Sequence, residues 1–500
     1  MRPMTQDATP TRDHEGSPDE SRHPLDAIFH PRAVALVGVP SGESQGASLG
    51  FFTSLLEQDF HERHDNRLYP INPKADEIRG FKAYPSLLET PDPVDHVISL
   101  IPARAVPTLV EQAIQKGVRS IHFFTAGFSE TGDEEMANLE RTMVEKLNAA
   151  GIRVLGPNCM GLYVPSEGLA FMNQFPRESG NVMFVSQSGA NAGDVVRGLG
   201  ARGVRFSKVI SFGNGSDLRA HHFFDYAISD SETALVTSYI EGVQDGRRFR
   251  TALQALARVK PVILLKGGLT GAGARAAHSH TGSLAGSTQI FDAVCRQVGA
   301  WRAETMDDLH DVSIAVTTGL RDVRGRGVCL VGGGGGTAVL ASDALATAGL
   351  DVPPTPEATR RELSEFIPVA GTSINNPIDT NMGDAETTDR TLRIMARAEN
   401  IDVIVTNASW GRNADRPDVD VEDLKRRATE QVERLSALQR ETGIPIVMLT
   451  RGTPHPVLEF FQHEAYRCGL AAYPTIHRAA RAIAAIVEWR ERRAGLPAIF

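Results

Sequence analysis

From Pro31 onward one pattern repeats along the chain: a short apolar, β-branched run, then a glycine-rich or polar turn, then a helix-like stretch. Apolar runs of four to six residues without polar alternation read as strands buried on both faces, and strands alternating with helices build βαβ units around a parallel sheet. The predicted strands fall into three sets. The first is Ala33–Val37, Leu68–Ile71, His96–Ile101, Ser120–Phe124 and Arg153–Leu155; the second is Val182–Val185, Arg205–Ser211, Ala234–Ile240 and Pro261–Leu265. Beyond a charged joint at Arg321–Arg326 comes a third set, Gly327–Val331, Val403–Thr406 and Pro445–Leu449. The expected class is therefore α/β, with doubly wound parallel sheets in three domains at 25–165, 166–320 and 327–490. A chain of 500 residues agrees with that number, at roughly 150 residues per domain.

Charge and composition exclude several functions. With 52 basic and 61 acidic residues the net charge is −9, against the basic face that nucleic-acid binders carry. Arg247-Arg248 and Arg426-Arg427 are short clusters beside acids and read as solvated helix faces. The apolar runs stop far short of the ~18 residues a membrane helix needs. Residues 1–24 are polar and acidic, without the apolar core of a secretory signal, and read as a disordered tail. The four cysteines, Cys159, Cys295, Cys329 and Cys468, lie far apart with no CxxC pair. They indicate neither a disulfide framework nor a zinc site, and a reducing cytoplasm fits.

In open α/β sheets ligands sit at the carboxyl ends of the strands, so the turns there hold the candidate chemistry. After the first strand comes Gly38-Val39-Pro40-Ser41, whose glycine lets backbone amides approach a phosphate, although no GxGxxG fingerprint is present. Lys74 follows the second strand, where it faces either a phosphate or solvent. Gly156-Pro157-Asn158-Cys159-Met160-Gly161 offers the Asn158 amide to a carboxylate or carbonyl, or is a plain turn between domains. Cys159 has no evident base nearby and is not favoured as a nucleophile. In Ser186-Gln187-Ser188-Gly189-Ala190 a strand runs into a helix predicted from Asn191 to Leu199, and the free amides there suit an anion. Ser188 has weak support as a nucleophile because the pattern is not GxSxG.

The most informative segment is Lys266–Ser287, of which 16 of 22 residues are Gly, Ala, Ser or Thr. So little apolar surface predicts a mobile loop. It carries His278 and His280. As a metal pair they lack a nearby third ligand; as a nucleophile toward phosphate, an imidazole on a mobile loop needs a partner for its other ring nitrogen. Glu241, at the end of a predicted strand, is placed to be that partner. The alternative is a flexible surface loop with incidental histidines.

Taken together, VALVGVPS (34–41), YPINPK (69–74), ISLIPA (98–103), FTAGFSETG (124–132), GPNCMG (156–161), VSQSGA (185–190), SFGNGSD (211–217), YIEG (239–242) and SHTGSLAG (279–286) resemble the α-type portion of NDP-forming acyl-CoA synthetases. That family includes ADP-forming acetate–CoA ligase and is related to the α subunit of succinyl-CoA synthetase. The resemblance runs from about Leu25 to about Tyr473. It implies a Rossmann-like CoA-binding domain and two flavodoxin-like domains, the first bearing a phosphohistidine loop. By the match, His280 is the phosphohistidine and Glu241 its orienting carboxylate. Gly38, Val39, Pro40, Ser41, Lys74, Ile101 and Pro102 would hold coenzyme A. Asn158, Ser186, Gln187, Ser188, Gly189 and Ala190 would hold the carboxylate and its phosphoryl group.

The implied reaction interconverts acyl-CoA, ADP and phosphate with a small carboxylic acid, CoA and ATP through an acyl phosphate. Two departures stand out. The first turn reads Gly-Val-Pro-Ser where Gly-Ala-Ser is common, and Gly332–Gly336 is a long glycine run that lacks a following Gly-Lys-Ser/Thr and is assigned no nucleotide. Nothing after Arg321 resembles an ATP-grasp domain, so ATP or ADP and Mg are expected on a separate β subunit in a hetero-oligomer. Two other readings stand beside this one: a relative that transfers acyl or carbamoyl groups with CoA or phosphate, and a CoA-binding regulatory subunit without turnover.

Overall fold

The computed structural model describes residues 23–42, 46–65, 67–281, 287–332, 334–368, 372–380, 384–408, 420–450 and 456–493, with backbone alone over 277–281 and at 456. Most of the residues read as a disordered tail lie outside these. Three open sheets carry the fold. The first has the order β2-β1-β5-β6-β7, all parallel, from β1 (Val34–Val37), β2 (Leu68–Ile71), β5 (His96–Ser99), β6 (Ser120–Phe123) and β7 (Arg153–Leu155), with a small hairpin β3 (Glu77–Ile78) and β4 (Phe81–Lys82) beside it. The second has the order β13-β12-β11-β9-β10-β8. Its strands are β8 (Gly161–Tyr163), β9 (Val182–Ser186), β10 (Phe206–Ser211), β11 (Leu235–Ile240), β12 (Val262–Lys266) and β13 (Trp301–Ala303). The third is the parallel row β14 (Val328–Val331), β15 (Val403–Asn407), β16 (Ile446–Leu449) and β17 (Ala471–Tyr473).

Every predicted strand is present within a residue or two. Their side chains are buried on both faces, as in Val34–Val37 and Val182–Ser186, which is why a continuous apolar run identifies them. The strands the sequence reading did not contain are β8, β13 and β17, each at the edge of its sheet, together with the two-residue hairpin. An edge strand pairs on one side only and needs less apolar length, so Gly-Leu-Tyr, Trp-Arg-Ala and Ala-Ala-Tyr carry no run to detect. β8 is antiparallel to β10, with Ile210 opposite Leu162; residues placed by sequence in the first domain thus complete the second sheet.

The first described residues pack on the second layer. Phe29 lies against Tyr226 with ring centroids 4.5 Å apart and faces Phe223 at 6.4 Å, while His30 Nδ1 meets Glu167 Oε1 at 2.8 Å. The fully buried Lys208 ammonium, paired to Asp230 at 3.0 Å, sits over the rings of Phe29 and Tyr226. The second and third layers share a buried ion cluster. Arg202 and Arg478 both donate to the Asp311 carboxylate, at 2.9 and 2.8 Å, and Tyr473 Oη donates to the Asp311 carbonyl at 3.0 Å. The helix Ile476–Arg492 closes this junction against the helix Met306–Thr317. Among the described residues no helix is long and apolar enough to cross a membrane.

The segment read as a loop is a helix over Gly271–Thr281, lying against the single turn Ser129–Thr131 of the first layer. Its alanines have the highest intrinsic helix propensity, which outweighs the low apolar content that suggested a loop. The predicted helix Asn191–Leu199 extends over Gly189–Ala201.

Candidate functional site

Each of the first two sheets has a point where successive strands are added on opposite sides, and there a crevice opens at the carboxyl ends. In the first sheet it lies between β1 and β5. The turn after β1 leaves on Gly38, which has φ +97°; a Cβ there would come within 2.8 Å of Ile101 Cγ2. Gly38 N donates to Ile71 O at 3.0 Å and Leu100 N to Val37 O at 2.9 Å, so the turns after β1, β2 and β5 are tied side by side. Asn72 Nδ2 donates to Val39 O at 2.8 Å, and Asn72 Oδ1 accepts from Lys74 N at 2.8 Å. The structure therefore gathers Gly38, Val39, Pro40, Ser41, Lys74, Ile101 and Pro102 at one edge. The Val39 side chain is buried, so that position presents backbone only, whereas Ser41 and Lys74 are exposed.

In the second sheet the crevice lies between β9 and β11. Gln187 directly follows β9 and Glu241 directly follows β11, and Gln187 Oε1 accepts from Glu241 N at 2.9 Å and Gly242 N at 3.1 Å. Gln187 N in turn donates to Tyr239 O at 3.0 Å. Tyr239 Oη donates to Glu241 Oε1 at 3.2 Å, and Lys266 Nζ donates to Glu241 O at 2.6 Å. Burial lowers the Lys266 pKa and the nearby Glu241 carboxylate opposes the shift. Burial also lifts the Tyr239 phenol to about 12, so it stays a donor.

The helix Gly189–Ala201 starts at this crevice. Ser188 caps it, Oγ accepting from Asn191 N at 3.3 Å. Ser186 Oγ donates to Ser188 O at 2.6 Å and accepts from Ser188 N at 3.1 Å. The Ser186 hydroxyl thus braces the turn from within. The first helical amides, at Gly189 and Ala190, are those that an α-helix leaves without intrahelical partners. They and the helix dipole make an anion-accepting end.

Asn158 joins this site from the first layer. It has φ +56°; its N donates to Thr125 O at 3.0 Å and its Nδ2 to Asn214 Oδ1 at 3.4 Å. The turn after β10 interlocks with it: Asn214 N donates to Pro157 O at 3.0 Å, and a Cβ on Gly213 would fall 2.3 Å from both Pro157 O and Asn158 O. Arg153 grips Asp217 through two bonds of 2.9 Å. Cys159 is buried, and burial pushes its thiol well above the ordinary range, which removes it as a nucleophile. His278 and His280 fall on the final turn of the helix Gly271–Thr281, and their side chains, with residues 282–286, lie outside the described residues.

Sequence reading did not single out Tyr239, Lys266, Thr125 or Asn214. Tyr239 had a usable signal: two residues before Glu241 on one strand, it shares that residue's face. Asn214 stands inside SFGNGSD, but its role depends on a fold contact with Asn158, 56 residues away.

Three family models match the chain: a CoA binding domain over residues 32–165, a succinyl-CoA ligase like flavodoxin domain over 179–316 and a ligase-CoA domain over 328–486. The α subunit of acetate–CoA ligase (ADP-forming) II from Pyrococcus furiosus is 35% identical over 383 residues, covering 76% of this chain and 81% of that one. The acetate–CoA ligase (ADP-forming) I of Archaeoglobus fulgidus is 36% identical over 385 residues, 76% of this chain and 54% of the relative. The chain thus spans about half the length of that relative. Among solved structures, the dinucleotide forming acetyl-coenzyme A synthetase 1 of Ca. Korarchaeum cryptofilum, in complex with phosphate and ADP, superposes with a TM-score of 0.77 at 28% identity, covering 94% of this chain and 98% of that one.

Proposed function

Because the chain belongs to the NDP-forming acyl-CoA synthetase family, we propose that it is the α subunit of a carboxylate–CoA ligase that interconverts acyl-CoA, ADP and phosphate with carboxylate, CoA and ATP. The observation that carries this reading is the Gln187 bridge, which fixes Glu241 beside the start of the helix Gly189–Ala201. An orienting carboxylate and an anion-accepting helix end share one crevice, as transfer of a phosphoryl group between a carboxylate and an imidazole requires. CoA is held at the edge formed by Gly38–Ser41, Lys74 and Ile101-Pro102. Asn158 and the amides of Gly189 and Ala190 hold the acid and its phosphoryl group.

In the acyl-CoA-consuming direction, phosphate displaces the thiol and an acyl phosphate forms. The His280 imidazole then attacks phosphorus; the P–N bond forms as the P–O bond to the acyl carboxylate breaks. Glu241 accepts the N–H of the other ring nitrogen and stabilises the cationic ring that results. An ATP-grasp β subunit supplies the nucleotide and Mg that receive the phosphoryl group. The α-subunit designations of relatives from Pyrococcus furiosus support a partner chain.

The test mixes the chain with an ATP-grasp β subunit and γ-labelled ATP and follows acid-labile, base-stable label. His280→Ala abolishes the label and His278→Ala retains it. Label that survives in the His280 variant overturns the assignment. Tight CoA binding without any label in the wild type would favour a regulatory subunit.

A further inference from the structure

A small cavity, open on one side, lies between the ends of β10 and β11 and the starts of the helices Ala220–Ser229 and Gly246–Val259. Two of its walls belong to the site already described. One is Gln187, from the turn of the anion-accepting helix; the other is Asn214, which accepts from Asn158. The cavity therefore continues directly from the groups assigned to the acid's carboxylate. Its body is apolar, with Phe212 and Phe249 among the lining residues.

The far end is polar and incompletely paired. Arg219 donates through Nε to Gly215 O at 2.7 Å, and no acceptor among the described residues pairs with its terminal Nη atoms. His221 is 6% exposed and lines the same cavity, and its Nε2 is buried without a hydrogen-bond partner among the described residues. A buried polar atom left unpaired is costly, so the site gains by receiving one more polar group. The start of the helix Ala220–Ser229 adds unpaired amides beside Arg219. The acid in the wall, Asp245, is already engaged, accepting from Arg248 N at 3.0 Å and pairing with Arg248 Nε at 3.5 Å. What is left over is a cation and donors, suited to an acceptor on the ligand.

We propose that this cavity receives the part of the acid beyond its reacting carboxylate, and that the acid carries a hydrogen-bond acceptor at its far end, held by Arg219. This rests on the carboxylate–CoA ligase reading. Chemistry favours the distal acceptor, since a plain alkyl tail would leave Arg219 Nη and His221 Nε2 as they are.

The test has two arms. Equilibrium binding to the full chain alone is measured by calorimetry for acetate, butyrate, 4-hydroxybutyrate and succinate. Ligation of the same acids is measured with an ATP-grasp β subunit present. A four-carbon acid with a distal oxygen is expected to bind about tenfold or more tightly than butyrate, as sites built around a polar group discriminate against analogues that lack it. Val243→Trp, which fills the cavity, lowers kcat/KM for the preferred acid relative to acetate by about tenfold or more. Arg219→Gln erases the preference for a distal oxygen, and Arg219→Lys restores part of it. Ligation that proceeds with the same acid preference in Val243→Trp and Arg219→Gln overturns the inference and leaves the ligase reading standing. Binding that responds to both variants without any ligation does the reverse.

Discussion

Gln187 shows how much one side chain settles at this site. Its amide oxygen accepts the N–H groups of Glu241 and Gly242, 54 and 55 residues further along. The sequence singled out Gln187 as part of an anion-holding turn, and Glu241 as a carboxylate at a strand end; the bond between them needed the β9–β11 neighbourhood, which no local pattern reveals. Replacing Gln187 by Leu strands two buried donors at about 1–3 kcal/mol each. The labelling rate of His280 with a β subunit is expected to fall roughly 10- to 100-fold, and a wild-type rate in that variant would show that Glu241 does not depend on the bridge. The role of His280 was read from a motif match.

At the level of elements, what was legible followed the length of the apolar run. Strands covered on both faces announce themselves as apolar runs, so β1, β9 and β11 were placed within a residue of their bounds. The edge strands β8, β13 and β17 did not, and neither did the junctions between layers, which are built from ions. Asp311 is the example. In sequence it is one acid in the helix Met306–Thr317; in the fold it holds Arg202 of one layer and Arg478 of the next. Arg202 is 9% exposed, and removing the partner of a buried charge costs about 3–5 kcal/mol. Asp311→Ala is accordingly expected to lower the urea midpoint and to separate the unfolding of the third layer from that of the second. A single transition with an unchanged midpoint would contradict this.

Across the whole molecule, acid stability is set partly by two histidines in the first sheet. His96 and His122 are fully enclosed and stacked 6.4 Å apart; burial, aided for His96 by its neighbour, holds their pKa values near 3 and 4. Both are bases whose folded pKa lies below the unfolded value of 6.5, so the folded chain binds fewer protons than the unfolded chain between those values. Stability is complete above about pH 6.5 and falls below it, by about 1.4 kcal/mol per pH unit for each histidine. Urea midpoints measured from pH 7.5 to 5 test this, and His96→Val should lessen the dependence without removing it, since burial holds His122, His222 and His310 near 4 as well; a flat profile in the wild type would refute it.

The packing of the first described residues on the second layer and the return through β8 mean that the polypeptide crosses between the first two layers twice, at Phe29–His30 and again at Gly161. A body attached by one strand of chain can swivel about it; attached by two separated strands, it can only tilt about the line joining them. The edge formed by the turns after β1, β2 and β5 and the Glu241 crevice therefore keep a common orientation. For gene design, the consequence is that the first layer cannot be excised at a single cut: a clone ending near residue 165 would carry off β8 and leave β10 as a bare edge, open to pairing with other chains.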